Sequence, residues 1–74
     1  MGNSSDWFTN TRNNLVGSNA NQARRWLNRN NFVFTQTLAH TNRRIVERWN
    51  RSNPNGAIDV IFVNNMVSDV MMAR

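Results

Sequence analysis

All nine basic residues of this 74-residue chain are arginines, and seven of them fall between Arg24 and Arg51. A guanidinium is planar, permanently charged and grips phosphate or carboxylate through two parallel N–H groups, which an ammonium cannot do. From Ser18 to Ser52 seven arginines stand against one acid, Glu47, for a local charge of +6, whereas Ala57 to Arg74 carries two aspartates against one arginine. The cationic chemistry is therefore local. Arg24, Arg25, Arg29, Arg43, Arg44, Arg48 and Arg51 make a candidate phosphate-binding stripe, with Trp26 and Phe32 placed to stack on unpaired bases. The partner such a stripe predicts is a polyanion, RNA or DNA, held with little sequence selectivity. Codon drift explains the bias equally well, because Lys and Asn codons differ only in their last base and the chain has fifteen Asn and no Lys.

Catalysis has little to draw on. His40 and Glu47 share a helical face, but no Ser or Asp is spaced to complete a set of acid, base and nucleophile. With no cysteine and one histidine beside Asp6, Glu47, Asp59 and Asp69, no metal centre is expected. Gly2, Gly17 and Gly56 are too scattered for a phosphate loop or a dinucleotide fingerprint, so no cofactor is expected either. These exclusions leave a non-catalytic protein.

The elements that would position the arginines read as helices. A first helix capped by Ser4 or Ser5 carries Asp6 in its first turn and apolar Trp7, Phe8, Leu15 and Val16, and it ends at Gly17, with Ser18 or Asn19 capping the next. From Ala20 to Arg51, Ala23, Phe34 and Ile45 are eleven apart, as are Leu27, Leu38 and Trp49. On a helix both series fall within an arc of about 80°, a core-facing stripe that makes Trp49 a core anchor and leaves Trp26 off-centre. Arg25, Arg29 and Arg43 then lie opposite the stripe, and Glu47 pairs with Arg43 and Arg51 at four-residue spacing. Asn28 to Asn31 is the weak point, since Asn prefers caps and turns, and Phe32 would sit off the stripe. Asn53-Pro54-Asn55-Gly56 is turn chemistry. Beyond it, Val60, Val63, Val67 and Val70 follow a three-four-three spacing, flanked by Met66 and Met71, which describes an amphipathic helix suited to self-association.

The expected fold is thus an all-α bundle of three or four helices around a long central amphipathic segment. It forms one domain over 1–74: a basic helical part at 4–52, a turn at 53–56 and an apolar C-terminal helix at 57–73. The alternative is an α+β fold with short strands near 32–38 and 58–63, where aromatic and β-branched residues concentrate.

A chain this small without disulfides is marginal alone, so a homo-oligomer or a larger protein partner is expected to stabilise it. The polar start Met1 to Asp6 lacks an apolar core, which predicts an intracellular protein, cytoplasmic or nuclear in a host cell, and no membrane partner. The function these features predict is a nucleic-acid-associated accessory protein of viral or phage type, self-associating through Val60, Val63, Met66, Val67, Val70 and Met71. The rival is an interaction or assembly module that docks on a larger protein or capsid.

Overall fold

The computed structural model describes residues 4–53 and 55–73. The cap expected from the Ser4 or Ser5 side chain, and Pro54 of the expected turn, lie outside what is described. The elements run α1 (Ser4–Leu15), α2 (Ala20–Arg29), β1 (Val33–His40), β2 (Arg44–Ser52), β3 (Asn55–Val63) and β4 (Met66–Met72). The four strands form one antiparallel meander in the order β1-β2-β3-β4. The fold is therefore α+β rather than an all-α bundle. The central segment is one helix followed by two strands, and the expected C-terminal helix is the β3–β4 hairpin.

Local chemistry explains the boundaries. Gly17, at φ 90°, ends the first helical segment, and the Asn19 side chain accepts from the Gln22 amide while the Gln22 side chain accepts from the Asn19 amide. This reciprocal cap satisfies donors that the first turn of a helix leaves unpaired. Asn30 closes α2 and Asn31 turns the chain through φ 68° into β1. Asn64 and Asn65, both at positive φ, make the two-residue loop that the twist of a β-hairpin favours. At Gly17 a β-carbon would meet no atom, so Gly17→Ala isolates backbone strain. Urea denaturation should show a loss of about 1 kcal/mol.

One side of the sheet holds the core. Trp49 lies opposite Ile58, Glu47 opposite Val60 and Ile45 opposite Phe62, with Val70 opposite Val60 on the other flank. Onto these pack Leu15, Ala20, Ala23 and Leu27 from the helical segments, with Phe32 beneath the entry to β1. The other side of the sheet is half solvated, with Val46 opposite Ile61 and Arg48 opposite Asp59.

Backbone bonds tie the helices to the β4 edge. The Gly17 amide donates to the Val67 carbonyl, the Val67 amide to Ser18 and the Ala20 amide to Asn65. An exposed ion pair of 2.9 Å between Arg12 and Asp69 lies on the same flank. The opposite edge, β1, has no backbone bond to either helix among the described residues.

Candidate interaction site

The fold disperses the arginines that the sequence aligns. Arg24 reaches from α2 to Glu47, Nη2 donating to Oε2 at 2.8 Å and Nε to Oε1 at 3.3 Å, while Trp49 Nε1 donates to the same Oε1 at 3.1 Å. Glu47 is 7 % exposed, so its charge is held by this pair and indole. Its expected pairing with Arg43 and Arg51 does not form, because four residues along a strand span about 13 Å, far more than one helical turn.

Arg48 makes a two-point contact with Asp59 across the open side of the sheet, at 2.8 and 3.0 Å. Hydrogen bonding to Asp59 raises the Arg48 guanidinium above its ordinary pKa; partial burial opposes this and the Asp59 charge adds to it. Arg51 is stacked on rings, its guanidinium carbon 5.6 Å from the centre of Trp7 and 5.0 Å from that of Phe32. Both are cation–π distances, and its Nε is buried without a hydrogen-bond partner.

Arg24, Arg48 and Arg51 thus serve the fold. Phe32 is buried, and Trp26 is half-buried with its ring tilted against Phe32 at 6.4 Å, so neither is presented as a free stacking platform. Arg25, Arg29, Arg43 and Arg44 remain exposed and without an ion-pair partner among the described residues. They form two groups. Arg25 and Arg29 lie on the outer surface of α2, toward the start of β1. Arg43 and Arg44 lie at the β1–β2 turn, beside the N-terminus of α2, since the Asn64 amide donates to Arg43 and the Ala20 amide to Asn65.

The self-association set divides as well. Val60, Val67 and Val70 are core residues, whereas Met66 and Met71 are exposed and Val63 is half-buried. No single apolar face unites them, because a hairpin sends alternate residues to opposite sides.

The surface that does stand out is β1. Seven of its eight residues are exposed, including Val33 at 67 %, Phe34 at 46 % and Leu38 at 42 %. Its outer edge pairs with no strand among the described residues. Thr35 and Leu38 have no partner on β2, where the register slips twice, and such bulges increase strand twist. Proteins commonly protect an edge with charge, proline or bulges; β1 has its two bulges, but no Arg, Lys, Asp, Glu or Pro occurs from Asn30 to Asn42.

Phe34 packs edge-on against Trp49, their ring centres 5.6 Å apart. Together with Arg24, Asn28 and Glu47 these two rings line a groove of about 290 Å³ between α2 and the β1–β2 pair. The groove is open and close to the lower size limit of small-molecule pockets. Its position suits a side chain arriving from alongside β1. Sequence reasoning placed Phe34 and Leu38 in a helical core and so missed this surface; the uncharged run between Arg29 and Arg43 was the available signal.

No helix among the described residues is long and apolar enough to cross a membrane. Compared with known proteins, the chain matches no family model, no curated protein and no solved structure. The comparisons therefore add no support to the viral origin or nucleic-acid association expected from composition.

Proposed function

We propose that the protein is a non-catalytic, intracellular interaction module that docks on a larger protein by adding an extended segment of that protein to the free edge of β1. The observation that carries this reading is the exposed edge of β1, with Val33, Phe34 and Leu38 on it, no Arg, Asp or Glu in it and no strand paired to it among the described residues, beside the Phe34–Trp49 groove. Main-chain hydrogen bonds along an added strand supply affinity, and alternate side chains supply specificity. An added strand lies about 4.8 Å outside β1, so a side chain on its helix side reaches over Phe34 toward Trp49.

Selection of a displayed random-peptide library on the immobilised chain, with Val33→Lys/Leu38→Lys as the counter-target, tests the reading. Both positions are exposed, so lysine there should leave the fold intact and block strand addition. Extended, alternating apolar peptides that bind the parent and are lost on the variant are expected. Failure to enrich any such peptide, together with salt-sensitive binding of RNA or DNA that the variant retains, would replace the reading with nucleic-acid association.

A further inference from the structure

The free arginines flank β1, and their placement identifies the chemistry of what binds there. Taking β1 as the docking edge, we infer that the segment it receives is apolar in its middle and acidic at both ends. Arg29, with Arg25 one turn behind it, stands before the strand begins, and Arg43 and Arg44 stand just after it ends. Between them β1 runs for eight residues, about 26 Å when extended. That separation exceeds the screening length of about 8 Å at physiological salt, so the two cationic groups act independently and each can hold its own counter-charge.

Among the described residues no side-chain carboxylate is left over to supply it. Glu47, Asp59 and Asp69 are each committed to an ion pair, and Asp6 has an interaction of its own. A second copy is therefore a poor occupant. Antiparallel pairing of β1 with β1 about a two-fold axis would also set Arg29 of each copy beside Arg43 and Arg44 of the other, like charge against like at both ends. A nucleic-acid backbone fits less well than an acidic-ended segment, because its evenly spaced phosphates would cross Val33, Phe34 and Leu38, where no cation meets them.

A segment with Asp or Glu at each end places carboxylates where Arg forks can hold them and lays apolar side chains along the edge and into the Phe34–Trp49 groove. The acidic ends set choice of partner and speed of encounter, and the strand supplies the remaining binding energy.

The test is an array of synthetic peptides, each about ten residues long to match the strand. Their middles alternate Thr with Val, Ile, Leu or Phe, and every middle carries paired Asp, paired Ser or paired Arg at both ends. Fluorescence anisotropy reads binding to the full chain, to Arg29→Gln, to Arg43→Gln/Arg44→Gln and to Leu38→Lys. Asp-ended peptides should bind about ten-fold tighter than their Ser-ended counterparts, Arg-ended ones weaker still, and each arginine variant should lose about three-fold, differences that shrink as salt is raised. Leu38→Lys should abolish binding of all of them.

Equal affinity for Asp-ended and Ser-ended peptides would overturn the acidic-end inference while leaving β1 as the docking edge. Absence of binding by every peptide would remove both. Asp-ended binding that survives Leu38→Lys would show carboxylates held without strand addition and overturn the inference. So would a dimer in sedimentation that Leu38→Lys disperses, which would make a second copy the occupant, or tighter binding of oligouridine than of any peptide.

Discussion

Replacing Glu47 with alanine is expected to cost about 3 kcal/mol of folding stability, read as a shifted urea midpoint with the slope unchanged. A chain of this length has a total of about 4–11 kcal/mol to lose. Glu47 is the buried acid of the sheet, and three hydrogen bonds converge on it, two from Arg24 and one from the Trp49 indole. Without it, Trp49 keeps a buried N–H with no acceptor. Arg24, whose side chain is 36 % exposed, can recover some water but loses its anchor over the Phe62 ring at 5.0 Å. Glu47→Gln should cost less, because one amide oxygen still accepts from the indole.

The double change Arg24→Met/Glu47→Leu should recover part of the loss, since an apolar pair of similar volume avoids burying a charge. A residue of about 1 kcal/mol should remain from the unpaired indole. If the double variant is less stable than Glu47→Ala, the ion pair is a net stabiliser and this account of it is wrong.

Gly56→Ala is the second large effect, expected to lower the melting temperature by about 5–20 °C, the equivalent of about 1–3 kcal/mol of overpacking. A β-carbon at Gly56 would fall within the van der Waals contact distance of Trp7 Cζ2 and Cη2. These are ring atoms fixed by surrounding contacts. Trp7 lies edge-on to Phe8 with ring centres 6.1 Å apart, 6.2 Å from the Phe32 ring and under the Arg51 guanidinium. The ring must move, and the Arg51 stack moves with it, so tryptophan near-ultraviolet circular dichroism should change in step with stability. Trp7→Leu together with Gly56→Ala should be more stable than the two separate effects added, because the clash disappears. Strict additivity would mean that Gly56 is needed for some reason other than room for Trp7.

What the sequence makes legible is its turn chemistry. Gly17, Asn19 and the Asn28 to Asn31 break act through local backbone and side-chain bonds, and each stands where expected. Trp49 is the core anchor that its position suggested. The strands were harder to read for a geometric reason. Residues four apart share a face on a helix, but they also share a face on a strand, where alternation has period two. Ile45 and Trp49 satisfy both patterns, and so the eleven-residue series drew α2, β1 and β2 into one apparent helix. In β1 the two slips of register removed the clean alternation that would have marked a strand.

The β3–β4 hairpin was legible in principle. Asn64-Asn65 between Phe62-Val63 and Met66-Val67 is a hairpin signal, and the spacing of the valines obscured it. The binding edge was least legible. Whether an apolar residue lies in a core or on a surface depends on which edge the helices cover, and that is decided by bonds between Gly17 to Ala20 and Asn65 to Val67, distant in sequence.

Those same bonds set the order in which the molecule can be completed during synthesis. Both helices leave the ribosome first, yet the strand that anchors them, β4, leaves last. Until it does, Leu15, Ala23 and Leu27 lack the part of the core that Val67 and Val70 supply, while β1 and β2 can already pair as a local hairpin. The nascent chain therefore passes through a stage with an incomplete sheet and two incompletely seated helices, when it is more open to chaperones and proteases, until β4 joins the sheet.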